Sequence, residues 1–157
     1  MRKLTAVLVV LLVLIAGFAA WFYLGGTLRA QVYVQTAKAA DYPEAYGAIR
    51  SLLASGSAPQ SFADPNLPED PSGYTLVDVN LTLTNRGLFP AEWLDIRAEA
   101  EPGDIAVYAL TGEGSDVPAR DSASVDLKLI TTAPADAVRT IRVQYYVHGM
   151  KREIAVR

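Results

Sequence analysis

The side chains able to do chemistry are few in this chain, and they are scattered. His148 is the only histidine, and there is no cysteine among the 157 residues. The missing thiols exclude a cysteine nucleophile, a Cys-based zinc site, a disulfide and a lipid-modified cysteine anchor. A serine hydrolase needs serine, histidine and carboxylate to converge, and no Gly-x-Ser-x-Gly elbow presents the serine. His148 sits beside Gly149 and Met150, which read as a hairpin turn, so the one imidazole is expected in solvent. Hydrolysis is the remotest reading of this sequence, and neither a catalytic residue nor a cofactor is assigned.

Glu99, Glu101 and Asp104 are the candidates for a hard cation such as calcium. Alternate residues share a strand face, and a following turn brings a third oxygen donor near. Their spacing matches no calcium-loop pattern, and acidic strand faces also serve solubility. Asp64, Glu69 and Asp70 make a proline-rich segment acidic, and Thr111 to Asp121 is a second acidic loop, with Gly112, Gly114 and Pro118. Four rings are candidates for holding a partner: Tyr74, Trp93, Tyr108 and Tyr146. Aromatic side chains supply much interface energy at little entropic cost. Tyr145 and Tyr146 point to opposite faces of one strand, so at least one of them faces outward.

Where such groups would work is decided by the stretch from Leu4 through Leu14 to Leu24, which carries no charge. As a helix it is about 30 Å long, the hydrocarbon thickness of a bilayer. A cleaved signal peptide is the rival reading, but such peptides have an apolar core of about 7 to 15 residues. This run continues past Gly17, Ala19 and Ala20 into Trp21, Phe22, Tyr23 and Leu24, rings suited to the headgroup interface. The expectation is an uncleaved anchor over 1–26. Arg2 and Lys3 place the amino terminus in the cytoplasm by the positive-inside rule, and the rest outside. With those two set aside, twelve cationic side chains stand against 17 acidic ones, a net charge of −5. That balance disfavours nucleic acid and anionic lipid as partners.

Residues 27–157 are enough for one domain and too few for two. Thr27 to Thr36 alternates, with Leu28, Ala30, Val32 and Val34 on one side, and reads as a strand. A helix follows at about 42–55, with Asp41 as cap, Glu44 as capping-box partner and Pro43 in the first turn. Ala45, Ile49, Leu52 and Leu53 form its apolar stripe, and Gly56 is placed to end it. Pro59, Pro65, Pro68 and Pro71 make 56–73 a long surface connection, either a solvated spacer or a binding loop. Strands are then expected at Val77 to Thr84, Trp93 to Ala98, Asp104 to Leu110, Ser122 to Thr131, Val138 to His148 and Lys151 to Val156, with period-2 alternation at Val77 to Thr84, Ser122 to Thr131 and Val138 to His148. Asn85, Arg86 and Gly87 are expected to turn through positive φ.

The segment VDVNLTLTNRGLFPAEWLDI, Val77 to Ile96, resembles the strand, Asn-x-Gly turn, strand opening of bacterial immunoglobulin-like and fibronectin-like surface modules. It is similar also to the membrane-anchored late-embryogenesis-abundant type 2 (WHy) β-sandwiches, a likeness that continues through Ser124, Arg139, Tyr145, Tyr146 and Gly149. The paired-cysteine core of immunoglobulin domains is absent, and the helix at Asp41 to Ser55 departs from the pattern. The resemblance implies a structural, adhesive or adaptor role without catalytic residues.

The expected protein is therefore mainly β: a single transmembrane helix, then an antiparallel Ig-like β-sandwich of about seven strands with one inserted short α-helix. It is a single-pass membrane protein with an extracytoplasmic domain, on a bacterial cell surface. The expected partners are the lipid bilayer, through the helix, and another membrane or envelope protein, for which this chain is an adaptor or subunit. The alternative is an envelope module binding calcium or a small ligand through its acidic loops.

Overall fold

The computed structural model describes residues 2–24, 28–62, 66–110, 116–134 and 139–157. The amino-terminal apolar run forms one helix, α1 (Arg2–Leu24). Its span Thr5–Phe22 has a mean hydropathy of 2.6 and none of it is buried against the rest of the chain. A helix this apolar, left unburied among the described residues, is compatible with a membrane anchor.

Eight strands follow: β1 (Leu28–Lys38), β2 (Gln60–Ser61), β3 (Thr75–Asn85), β4 (Glu92–Ala98), β5 (Asp104–Leu110), β6 (Ser122–Thr131), β7 (Ile141–Val147) and β8 (Met150–Val156). They form two antiparallel sheets, a larger one in the order β1-β3-β6-β5-β2 and a smaller one in the order β4-β7-β8. Alternation is the cause. In β3 the side chains of Val77, Val79, Leu81 and Leu83 are buried while Asp78, Asn80, Thr82 and Thr84 stay at the surface. Those four pack with Val125, Leu127 and Leu129 of β6 against Leu94, Ile96, Ile141 and Val143 of the smaller sheet. Each fully buried Leu, Ile or Val side chain contributes about 1.5 to 3 kcal/mol. Tyr145 joins this core, and its hydroxyl accepts the Leu28 N–H at 3.1 Å, tying the first residue of β1 to the smaller sheet.

Seven of the eight strands lie where the sequence predicts them; Thr27 and Val138, at two of the expected strand ends, fall outside the described residues. Three local expectations are corrected. The hairpin turn before β8 is His148–Gly149, with φ of 53° and 71°, and Met150 already pairs with Val147. Two central residues at positive φ are what a two-residue type I′ hairpin needs. The bend after β3 uses no positive φ at 85–87. Instead the buried Asn85 accepts the Gly87 N–H on Oδ1 and donates from Nδ2 to the carbonyls of Phe89 and Val117. Helix α2 (Pro43–Ala54) is entered from a short 3-10 turn at Ala39–Asp41, so Asp41 is not its cap. Tyr42 occupies the cap position without a side-chain bond, and the expected Asp41–Glu44 capping box is not formed. Gly56, at φ 71°, does close the helix, donating its N–H to the Leu53 carbonyl.

The 56–73 connection is a strap rather than a solvated spacer. β2 pairs with Ala106 and Val107 of β5, Leu67 is buried, the Tyr46 hydroxyl donates to the Pro68 carbonyl, and Arg50 reaches Glu69. Asp64, expected in this loop, lies outside the described residues. The strap holds α2 on the outer face of the larger sheet, where Tyr46, Ile49, Leu53 and Leu67 form a second core with Ala106 and Ile130. A 12-residue helix is marginal alone in water, so this docking is what keeps it folded.

Candidate functional site: an open strand edge beside an apolar groove

β1 makes a ladder only with β3, in unbroken register from Leu28 with Asn85 to Lys38 with Thr75. Its other edge has no strand partner among the described residues. The sequence explains why the edge is straight: 28–38 holds no proline, no glycine and no bulge, and its charges, Arg29 and Lys38, stand near the ends. Proteins normally blunt an edge of this length with charge, proline or a bulge, because the free N–H and C=O groups invite another strand. Tyr33 is 64% exposed and Val34 51% exposed in the middle of it. Val34 points toward the interior side, yet the shorter smaller sheet leaves it uncovered.

Alongside the far half of β1 runs a groove of 650 Å³ between α2 and the larger sheet. Its origin is the rotation of the helix. Tyr46, Ile49 and Leu53 are turned down into the second core, and the flank facing β1 carries Ala45, Ala48 and Leu52. The two alanines are too small to fill the space over Ala37 and Leu76. At the opposite wall the Lys128 ammonium and the Asp78 carboxylate pair at 2.6 Å, so the charges there are matched. Burial, and then the charge of Asp78, push the Tyr108 phenol up to about 12, which leaves it a neutral donor throughout the physiological range. The arrangement is a largely apolar slot with two phenols, Tyr42 and Tyr108, and one matched ion pair, bordered by the β1 edge. It suits binding an extended peptide, with main-chain bonds to the edge and alternate side chains in the slot.

No protein-family model matches the sequence, and no curated protein matches it.

The four candidate rings do not form one patch. Tyr108 lines the groove, and Tyr74 lies under the helix with its ring 5.6 Å from that of Tyr46. Trp93 and Tyr146 belong to the smaller sheet. Trp93 is 74% exposed and held at φ 56° in a bulge of β4, its N–H bonded to the Asp116 carboxylate at 3.0 Å. Tyr146 is at the surface and Tyr145 in the core, one ring to each face. His148 is exposed in its turn, yet its ring stacks on Phe22 at the end of α1 and meets Phe89 edge-on. Of the helical positions expected to anchor the chain, Leu14 and Trp21 are exposed along α1 and Leu4 and Leu24 lie on the same helix.

Two of the three carboxylates of the cation candidate are taken up by arginines. Glu99 pairs with Arg142, which also holds Glu153 at 2.7 Å. Asp104 is buried, with Oδ1 2.6 Å from Arg139 Nη2 and Oδ2 accepting from Arg139 Nε and from the Glu101 N–H. Among the described residues no three His, Cys, Asp or Glu side chains come together as metal ligands. Burial pushes the Asp104 carboxyl up, but the bonds from Arg139, Glu101 and Thr131 and the Arg139 charge outweigh it and hold the group below the usual range. This pair ties the start of β5 to the segment before β7. It is a structural clamp.

Sequence reasoning placed Ala45 and Leu52 in the helix stripe but not the groove they border. The signal available was the pair of alanines at 45 and 48, three residues apart on the helix flank, beside a strand free of edge-blocking residues.

Proposed function

We propose that this protein is a membrane-anchored, extracytoplasmic interaction module that takes up an extended segment of another membrane or envelope protein, as its adaptor or subunit. The observation that carries the reading is the unblocked 11-residue edge of β1 running beside an open apolar groove. In this reading α1 spans the bilayer with its amino terminus inside, and the partner strand adds to β1 while its alternate side chains enter the slot lined by Ala45, Ala48, Leu52 and Leu76.

An immunoglobulin-like assignment of the scaffold accords with the strand order. β1-β3-β6-β5 opposite β4-β7-β8 follows the A-B-E-D and C-F-G arrangement of constant-type immunoglobulin sandwiches. Helix α2 and β2 are then an insertion between the first two strands of that plan, and the insertion is what makes the groove. The anchor keeps the edge close to the bilayer, which favours a neighbouring membrane protein over a distant one.

The test compares the full-length protein with its Val34→Lys variant, each crosslinked in the native membrane and captured. A charge on an edge strand opposes strand addition, and Val34 is half exposed, so the fold tolerates it. One recurrent membrane or envelope protein captured with the parent and lost with the variant is the expected result. Equal capture by both contradicts the reading.

A further inference from the structure

A second surface lies at the end of the domain that meets α1. Register aligns this end: Leu28 pairs with Asn85 and Thr84 with Ser122, which brings Arg29, Arg86 and Arg120 to one end of the larger sheet. The anchor touches the domain here, with Phe22 stacked on His148 at 4.7 Å between centroids and edge-on to Phe89 at 4.9 Å. Between helix and domain is a hollow of 140 Å³ lined by Trp21, Phe22, Arg86, Leu88, Phe89 and Arg120. Leu88 is exposed. Arg86 and Arg120 are exposed as well, and neither makes an ion pair among the described residues. The neighbouring Asp121 is occupied with its own strand, its carboxylate accepting the Ser122 N–H at 2.8 Å.

Three residues separate Leu24 from Leu28, so the helix end and the strand start lie within about 14 Å of each other. The headgroup layer occupies roughly 5 to 8 Å on each side of the hydrocarbon. With α1 across a bilayer, the two arginines therefore stand at the level of the lipid phosphates.

We propose that this end is a seat for anionic phospholipid, in which Arg86 and Arg120 hold headgroup phosphate while Leu88 and Trp21 rest at the acyl boundary. The inference rests on α1 spanning the membrane. The guanidinium fork matches phosphate oxygens bidentately. Arg120 is held at φ 59°, a backbone position that few non-glycine residues adopt and that fixes the direction in which its side chain leaves the chain. The negative net charge of the domain does not oppose the contact. Asp78 and Asp104 each pair with a cation elsewhere, Glu99 and Glu153 share Arg142, and charges beyond about 8 to 10 Å are screened. Seated in this way, the domain is held at a fixed attitude on the leaflet instead of swinging on its tether.

The chain has no cysteine, so single introduced cysteines report position cleanly. Full-length protein bearing a fluorophore at Leu88→Cys, Ser57→Cys or Val13→Cys is reconstituted in phosphatidylcholine vesicles with and without phosphatidylglycerol. Headgroup-nitroxide lipid is expected to quench the label at position 88 roughly fivefold more with phosphatidylglycerol present. The R86Q/R120Q double variant is expected to abolish that difference, and the label at position 57, between α2 and β2 and so away from the Leu28 end of the sheet, to stay unquenched. A position 88 label no more quenched than the position 57 label, or unaffected by R86Q/R120Q, overturns the seat. The label at position 13 is read with acyl-chain nitroxides: quenching there with none at 88 overturns the seat alone, and absence of quenching at 13 overturns the spanning reading and the seat with it.

Discussion

Asp104 and Arg139 are the most consequential single pair in the domain, because both side chains are withdrawn from water and bonded on two sides of the carboxylate. Removing one partner strands the other charge in the interior, so Asp104→Ala is expected to cost about 3 to 5 kcal/mol in chemical denaturation. The folded carboxyl titrates below its unfolded value of about 3.9. Its contribution is therefore complete at neutral pH and is lost as pH falls below about 4 toward the folded value. Stability measured against pH should show that acid limb in the parent and a flatter one in Asp104→Asn. Asn85 has a comparable role in the bend after β3. Asn85→Ala leaves the Phe89 carbonyl and the Gly87 N–H without their partner and takes one of two donors from the Val117 carbonyl, which keeps the Ala91 N–H, and a loss of about 2 to 3 kcal/mol is expected. Trp93 should behave in the opposite sense to a core ring. Its side chain is 74% exposed and its φ is 56°, a conformation that costs a non-glycine residue about 1 kcal/mol or more. Trp93→Gly is expected to leave thermal stability unchanged or raise it by up to about 1 kcal/mol, where a buried aromatic would cost about 3 to 5.

At the scale of elements, strands were most legible where the sequence states two faces directly. Val77, Val79, Leu81 and Leu83 against Asp78, Asn80, Thr82 and Thr84 can only be a half-buried strand, and β3 is one. β2 was not legible, since two residues next to Pro59 carry no periodicity and pair only because the strap is drawn across β5. Nor was the Arg139 clamp, whose partner is 35 residues away and chosen by tertiary geometry alone. The groove depends on a rotation of α2 by a fraction of a turn, which buries Tyr46 in place of Ala45; a stripe read at helical spacing does not resolve that. The strap also alters what deletion of its loop would do. Leu67, β2 and the Tyr46–Pro68 bond hold α2 in place, so removing 56–73 is expected to undock the helix, read as a loss of helical circular dichroism in the full-length protein, rather than to remove a separable binding loop.

For the whole molecule, the account joins two ends of one domain. The end near Leu28 meets α1 and carries Arg86 and Arg120, and β1 then runs about 33 Å along the larger sheet to Lys38, beside α2 and the groove. On the proposed reading, a domain seated by the first end would hold the second clear of the lipid and open toward a neighbouring protein. The central claim is that a partner segment lies against the β1 edge and in the groove. Its most direct test places a photo-crosslinking side chain, one at a time, at Tyr33 on the edge, at Ala48 in the groove and at Lys151 on β8, in full-length protein in its native membrane. The account predicts that Tyr33 and Ala48 give adducts to the same membrane or envelope protein and that Lys151 does not. Adducts to that protein from Lys151 alone, or none from Tyr33 and Ala48, would contradict it.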